Sequence, residues 1–255
     1  MRSGSCRYAE WHSGQVHVTQ TLKDTGERVV PLSVEPDDVM ASTLLQQHLE
    51  RYEEVAGRLS GGLVVDAGCG AGYGSKMISE RCEEVLALDI SSECLDYARE
   101  HYDADNITYR RFDFDATDSL PEAVDAIVCF EALQHVESPR SVLLKFRNAL
   151  SANGKLFISA TTYDSTNIYK YHKHDYTRES FRQELLDAGF VIDDEFEQVA
   201  TISAKDMRRV MFRHSESFPI ARLFLRPQRV LGTMWRSFVY PGLEHSDLTL
   251  ICSPG

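Results

Sequence analysis

A short apolar strand that ends in an acid and runs into a glycine-rich loop constrains the fold of this chain most strongly. The segment reads Val64-Val65-Asp66-Ala67 and is followed by alternating glycines from Gly68 to Gly74. Glycine supplies the backbone conformations of a tight strand-to-helix turn and lets the backbone approach a ligand closely. A second apolar strand ends in Asp89, where a carboxylate can accept both hydroxyls of a ribose, as in nucleotide-binding βαβ units.

The spacing of the glycines separates the classes of nucleotide that such a loop can bind. A dinucleotide fingerprint requires G-x-G-x-x-G, but counting from Gly68 places Tyr73 in the last position and counting from Gly70 places Ser75 there. The loop reads G-x-G-x-G, with Asp66 shortly before the first glycine. This pattern resembles the first motif of the class I S-adenosylmethionine (SAM) methyltransferases. A nicotinamide oxidoreductase and a glycine turn without a ligand are the disfavoured alternatives.

Strand-like and helix-like segments alternate along the 255 residues, and this alternation predicts the fold class. Strands are predicted near residues 64–67, 85–89, 107–112, 126–130, 155–160, 191–196 and 248–252, and helices over 38–59 and 73–82, from Ser91, from Ser138-Pro139 to Asn153-Gly154, and from Thr177 to Leu186. The rhythm is typical of an α/β fold: a Rossmann-like, doubly wound, mostly parallel seven-stranded sheet with helices on both faces. We expect one domain over 1–255, with 1–36 and 199–245 forming a substrate cap.

Ligands of doubly wound sheets lie beyond the carboxyl ends of the strands, and the methyltransferase resemblance assigns roles to residues there. It implies that Ala67, Gly68 and Gly70 line the methionine moiety of SAM, that Asp89 binds the ribose, that Ile90 packs on the adenine, that Asp113 accepts from the adenine amino group, and that Phe114 offers its backbone amide. Asp66 is expected to hold the loop and the ammonium group of SAM indirectly. Tyr73 either contacts the carboxylate end of SAM or covers the loop, and Phe130 ends the fourth strand beside the cofactor. The alternative for Asp89 and Asp113 is that they are solvated acids at strand ends.

The residues after the fourth strand predict where an acceptor would bind. The sequence from Glu131 to His135 resembles the E-x-x-E-H segment of ubiquinone-biosynthesis O-methyltransferases and small-RNA 2′-O-methyltransferases, some of which hold a divalent metal there. Gln134 replaces the second glutamate and removes a strong oxygen ligand, so we expect no metal. Glu131, His135 and His174 are the predicted catalytic residues. The two histidines form either an acid–base pair or part of a residual metal site, unless His135 packs under the loop and His174 is solvated.

Two further segments bear on the acceptor. Residues 25–31, together with His48, Arg51 and Tyr52 in an H-x-x-R-Y pattern, resemble methyltransferases that accompany glycosyltransferases, which implies a sugar hydroxyl as acceptor unless the motif is structural. Residues 218–240 contain arginines among apolar side chains and no acid. This pattern is typical either of an insertion between the last two strands with solvated arginines, or of a substrate cap or a surface for anionic lipid or a lipid-linked acceptor.

Composition limits the binding partners and the cellular location that the sequence predicts. The formal net charge is −12, with 39 acidic and 27 basic residues, which argues against nucleic acid as a partner. The six cysteines show no metal spacing, and no secretory signal or membrane span is visible, so we expect a cytoplasmic protein. No pattern indicates an oligomeric state. The sequence therefore predicts SAM-dependent O-methylation of a small molecule or glycan precursor, with a non-catalytic SAM-binding module or a quinone or lipid-linked acceptor as alternatives.

Overall fold

The computed structural model describes Leu22 and residues 30–34, 39–116, 118–162, 172–203 and 242–255. The basic segment 218–240 and most of the two predicted cap segments lie outside the described residues. The described helices are α1 (Val39–Arg58), α2 (Tyr73–Ser79), α3 (Ser92–His101), α4 (Pro139–Ala149) and α5 (Arg178–Asp187). The strands are β1 (Leu63–Ala67), β2 (Glu84–Asp89), β3 (Ile107–Arg111), β4 (Val124–Phe130), β5 (Leu150–Thr162), β6 (Phe190–Ser203) and β7 (Gly242–Pro254).

All seven strands form one sheet in the order β3-β2-β1-β4-β5-β7-β6. The pairs from β3 to β5 are parallel, whereas β7 runs antiparallel to both of its neighbours. The predicted doubly wound, mostly parallel sheet is therefore confirmed, with one antiparallel hairpin at the end of the sheet. The strand order reverses between β1 and β4, and ligands of such sheets bind at this switch point.

Two apolar clusters, one on each face of the sheet, form the core. One cluster joins β4 and β5 to α4 and α5 through residues such as Ile127, Phe146 and Phe181. The other joins β1 and β2 to α1, α2 and α3 through residues such as Val55 and Leu95. Because both faces are covered, β4 reads as a continuous apolar run rather than an alternating one. Within the described part of the chain, no helix is long and apolar enough to cross a membrane.

Local sequence signals account for two of the helix starts. The hydroxyl of Ser91 accepts from the amide of Cys94, and Thr177 forms a capping box with Ser180, as expected for residues that begin helices. The predicted end of α4 at Asn153-Gly154 is wrong, because the chain leaves the helix after Ala149 and Leu150 already pairs with β4.

Candidate cofactor and acceptor site

The glycine loop lies between β1 and α2 and crosses the tip of β2. The amides of Gly68 and Cys69 both donate to the carbonyl oxygen of Leu88, at 2.7 and 3.0 Å. Gly68 has φ +86°, and a Cβ at this position would lie 2.6 Å from the Cβ of Ala132. Both the backbone conformation and the space therefore require glycine here. The loop backbone follows directly from Ala67 and lies close to the tips of β2 and β4, where the methionine moiety of SAM was predicted.

Asp89 ends β2 and faces this loop. Its Oδ2 accepts from the amide of Gly70 at 2.9 Å, and its Oδ1 accepts from the amide of Ser91 at 2.8 Å. A carboxylate offers about four lone-pair positions. The two backbone bonds therefore fix the orientation of the half-buried carboxylate and leave acceptor capacity for ribose hydroxyls. The structure brings Gly70 and Asp89 together, and the ribose contact stays a prediction.

Asp66 lies beneath the loop and is fully buried. Its carboxylate accepts from the hydroxyl of Ser75 at 2.6 Å and from that of Tyr52 at 3.3 Å. Burial raises the pKa of Asp66 to about 7, with a smaller contribution from Asp89, although the two hydroxyl groups oppose this rise. Asp66 thus fixes the loop from below, which agrees with the indirect role expected for it.

Two acids near the start of the loop after β3, Asp113 and Asp115, have different contacts. Asp115 lies at the start of α4, where its carboxylate accepts from the amides of Glu137 and Ser138 at distances between 2.9 and 3.3 Å. The Oδ1 atom of Asp113 accepts from the amide of Asp115 at 3.0 Å, and Asp113 is half-buried. Because Asp115 stabilises the helix start, Asp113 is the one of these two acids that is left to contact an adenine, and this contact stays a prediction.

Ile90 and Phe114 were predicted to contact the adenine, and they differ in burial. Ile90 follows β2 directly and is 56% exposed. Phe114 packs its ring against Phe112 and Phe146, with centroids 5.0 and 5.7 Å apart, and its carbonyl accepts from Lys145 Nζ at 2.8 Å. The apolar side chain of Ile90 is thus open to a ligand, whereas the ring of Phe114 belongs to the core and only its backbone is a candidate for contact.

Tyr73 and Phe130 pack around a single side chain of α1. The ring of Tyr52 meets Phe130 and Tyr73 edge to face, at centroid distances of 4.9 and 5.8 Å. The hydroxyl of Tyr73 lies 3.0 Å from Nδ1 of His48, and burial raises its pKa far above the usual value. Because this hydroxyl bonds to α1, the structure favours the interpretation that Tyr73 covers the loop.

Arg51 of α1 is the centre of a buried polar network between the two halves of the sheet. Its guanidinium donates to Glu131 Oε1 at 2.7 Å, to Asp247 Oδ2 at 2.8 Å and to Gln198 Oε1 at 2.9 Å, and its Cζ lies 5.4 Å from the ring centroid of Phe130. Burial alone lowers the pKa of Arg51, but the two carboxylates together raise it above the usual value. The arginine is therefore a fixed buried cation behind the tip of β4.

Glu131 occupies the turn after β4 in a left-handed backbone conformation, with φ +53°. Besides Arg51, its carboxylate accepts from the hydroxyls of Ser159 at 2.7 Å and Thr161 at 2.6 Å, and from the side-chain amide of Gln134 at 3.3 Å. A non-glycine residue in this region is strained and persists only where its surroundings hold it. The predicted catalytic role of Glu131 stays a prediction, since all of these contacts are internal to the protein.

The ring of His135 packs against a histidine other than the predicted His174. The ring of His135 meets that of His172, with centroids 5.0 Å apart at 77°, and Nε2 of His172 lies 3.1 Å from the side-chain nitrogen of Gln134. His174 lies with its Nε2 3.3 Å from the carbonyl of Glu137. The structure thus places His172 rather than His174 beside His135.

Sequence reasoning missed several polar residues that define this site. Ser159, Thr161 and Asp247 belong to β5 and β7, far along the chain from the motifs, and nothing in their local sequence marks them. The H-x-x-R-Y pattern of α1 was a usable signal, because His48, Arg51 and Tyr52 contact Tyr73, Glu131 and Asp66 of the site. In the described part of the chain, no three His, Cys, Asp or Glu side chains lie together as a metal-binding group.

The chain matches a family model for a methyltransferase domain over residues 65–158. Its fold is similar to that of a candidate methyltransferase from Bacillus halodurans, with a TM-score of 0.67 and 14% identity over 82% of this chain and 100% of that chain. The Mycobacterium tuberculosis protein named Probable S-adenosylmethionine-dependent methyltransferase MT3114 is 27% identical over 66% of this chain and 61% of its own length. The matched domain and these relatives support a class I SAM-dependent methyltransferase.

SAM is the cofactor of this methyltransferase class, and the matched residues include the glycine loop, Asp89 and Glu131. The Ubiquinone biosynthesis O-methyltransferase of Actinobacillus pleuropneumoniae is also similar, at 33% identity over 44% of this chain and 50% of that protein. The chain spans 61% and 50% of the lengths of these two curated relatives.

Proposed function

We propose that this methyltransferase transfers the methyl group of SAM to an oxygen atom of a small molecule or glycan precursor. The observation that carries the proposal is the half-buried carboxylate of Asp89, which the amides of Gly70 and Ser91 hold at the strand-order switch point beside the glycine loop. A cofactor there spans the tips of β1, β2 and β4, with its ribose on Asp89. The exposed side chain of Ile90 supports the adenine on the same edge.

Methyl transfer from a sulfonium requires the acceptor, the methyl carbon and the sulfur in line. The acceptor oxygen forms the new bond to carbon, while the carbon–sulfur bond breaks and leaves its electron pair on sulfur as S-adenosylhomocysteine. The hydroxyl proton passes to a base, for which we propose His135, because it lies in the turn directly after β4. Glu131 orients this turn through its internal contacts, and His174 lies nearer to Glu137.

The acceptor in this proposal is either a sugar hydroxyl or an aromatic hydroxyl. The H-x-x-R-Y pattern that suggested a sugar acceptor has internal partners for each residue: His48 contacts Tyr73, Arg51 contacts Glu131, and Tyr52 contacts Asp66. These contacts explain the pattern without an acceptor. The similarity to a ubiquinone biosynthesis O-methyltransferase supports an aromatic hydroxyl as the second candidate.

Calorimetric titration with S-adenosylhomocysteine tests the cofactor half of the proposal. We expect wild-type protein to bind it in the micromolar range and not to bind NAD. Asp89→Ala should weaken binding by about 1.5–3 kcal/mol, roughly 10- to 150-fold, because a charge-assisted hydrogen bond to the ribose is lost. Asp187→Ala, an exposed acid at the end of α5, is the matched control and should leave the affinity unchanged. Equal affinities for wild type and Asp89→Ala would show that the ribose binds elsewhere.

Transfer of a radiolabelled methyl group from SAM tests the acceptor half. Catechols and other phenols are compared with sugars and nucleotide sugars in parallel assays. Labelling of a phenol supports the aromatic acceptor, and labelling of a sugar supports the glycan precursor. A protein that binds S-adenosylhomocysteine but labels no member of either class would favour the non-catalytic SAM-binding module.

A further inference from the structure

The carboxylate of Glu131 has no acceptor capacity left for a metal ion. Its Oε1 accepts from Arg51 Nη1 and from the hydroxyl of Ser159, each at 2.7 Å. Its Oε2 accepts from the hydroxyl of Thr161 at 2.6 Å and from Nε2 of Gln134 at 3.3 Å. A carboxylate has about four lone-pair positions, and these four donors use them. A divalent cation on Oε1 would have to displace the buried guanidinium of Arg51, and one on Oε2 would have to displace the Thr161 hydroxyl or the Gln134 amide.

Gln134 extends this arrangement to a histidine. The side chain is buried, and its Nε2 lies between Glu131 Oε2 at 3.3 Å and His172 Nε2 at 3.1 Å. An amide nitrogen only donates, and the reversed amide would place its oxygen against the carboxylate of Glu131. In this orientation of the amide His172 Nε2 accepts, and a neutral ring then carries its proton on Nδ1. In the metal-binding families that the segment resembles, the residue at position 134 would instead offer a carboxylate oxygen.

Backbone contacts hold this histidine against the turn after β4. The amides of Lys173 and His174 donate to the carbonyl of Gln134 at 2.9 and 3.3 Å. The rings of His172 and His135 meet edge to face with centroids 5.0 Å apart. Both the side chain and the main chain of Gln134 thus determine where the ring of His172 lies relative to His135.

We propose that the acceptor half of the site works without a divalent cation: Arg51 takes the cation's place on Glu131, and Gln134 fixes His172 as the Nδ1-protonated ring that positions His135. This inference rests on the proposed function, because it concerns how the base of that reaction is oriented. Arg51 is fully buried behind Glu131, so it organises the site electrostatically without acting as a Lewis acid. His172 is a positioning residue for His135, the proposed base.

Nuclear magnetic resonance of protein labelled with ¹⁵N-histidine tests the tautomer. Long-range ¹H–¹⁵N spectra distinguish protonated from unprotonated ring nitrogens, and His172→Gln and His135→Gln identify the two signals. We expect an unprotonated Nε2 in His172, and loss of that preference in Gln134→Leu. Gln183→Leu, an exposed glutamine on α5, is the control and should leave the signals unchanged. An Nε2-protonated His172 in wild type, or an unaltered tautomer in Gln134→Leu, would overturn the role given to Gln134.

Titration of the untagged protein with Mg²⁺ and Mn²⁺ tests whether the acceptor half of the site binds a divalent cation. We expect Mn²⁺ at concentrations up to about 1 mM to leave the ring signals of His135 and His172 unbroadened. A Kd of about 1 mM corresponds to a binding free energy of about 4 kcal/mol, so any binding to the wild type should be weaker than this. Gln134→Glu supplies a carboxylate beside both imidazoles, and we expect it to gain saturable broadening. Saturable broadening in wild type, or none in Gln134→Glu, contradicts the inference. The same samples are titrated with S-adenosylhomocysteine, so a failure of the inference is distinguished from a failure of cofactor binding.

Discussion

At the scale of single residues, the buried carboxyl of Asp66 makes stability depend on pH. Its pKa is raised from 3.8 to about 7 by burial, so between these values the folded protein holds a proton that the unfolded chain releases. The free energy of unfolding should therefore fall as the pH rises through this window. From pH 5 to pH 8 we expect Asp66 to account for a loss on the order of 2–3 kcal/mol.

Urea unfolding of wild type and Asp66→Asn at pH 5 and pH 8 measures this contribution. Asparagine keeps the shape and stays uncharged, so the wild type should lose more stability than the variant between the two pH values. Asp187→Asn, exposed on α5, controls for the other titrating groups and should follow the wild type. Parallel pH dependences for wild type and Asp66→Asn would mean that Asp66 is ionised in the folded protein at both pH values.

The residues predicted to bind the cofactor could be found from the sequence because each lies at or just after the end of an apolar strand, and the carboxyl ends of parallel strands meet at one edge of the sheet. Asp66, Gly68 and Asp89 are of this kind. The identity of the histidine beside His135 was not predictable, because His172 and His174 occupy one loop and sequence spacing does not determine where either ring lies. Which of the two histidines lies beside His135 depends on the hydrogen bonds that the amides of Lys173 and His174 donate to the carbonyl of Gln134.

At the scale of elements, α1 is the helix that joins the two halves of the sheet. Arg51 reaches Glu131 after β4 and Asp247 on β7, and its side chain is fully buried. Arg51→Met should lower the free energy of unfolding by about 3–5 kcal/mol, because it leaves two carboxylates without their buried cation. Urea denaturation at pH 7 measures the difference.

Arg58→Met on the same helix is the matched control. Arg58 pairs with Glu54 and Asp194, but its side chain is 37% exposed, and exposed ion pairs contribute about 0–1 kcal/mol. If both variants lose the same amount of stability, the burial of the Arg51 network does not carry the energy assigned to it.

The elements themselves were predictable to a greater extent than their long-range contacts. The apolar spacing of Leu45, Leu49, Tyr52 and Val55 predicted α1; Leu49 is half-buried and the other three side chains are buried. The same pattern does not reveal that Arg51 is buried as well, because its partners come from β4, β6 and β7. No local pattern in β7 predicts its antiparallel direction.

At the scale of the whole molecule, the buried cysteines report whether the sheet opens as one unit. Cys129 lies on β4 and Cys252 on β7, both are buried free thiols, and burial raises the pKa of Cys252 to about 12 and that of Cys129 still higher. Among the cysteines that the structure describes, Cys82 is the least buried and should react first with a thiol reagent. The two buried thiols belong to the same apolar cluster, so we expect them to react only when that cluster opens.

Peptide mass spectrometry after labelling at pH 8 measures each thiol separately. If the single domain expected over the whole chain opens cooperatively, Cys129 and Cys252 should become labelled at equal rates. S-adenosylhomocysteine at a hundred times its Kd should slow both about a hundredfold, because it stabilises the closed state by about 2.7 kcal/mol. Faster labelling of Cys252 that the ligand does not slow would show that the β6–β7 hairpin opens separately. In that case the buried ion pair between Arg51 and Asp247 would not couple the hairpin to the cofactor half of the sheet.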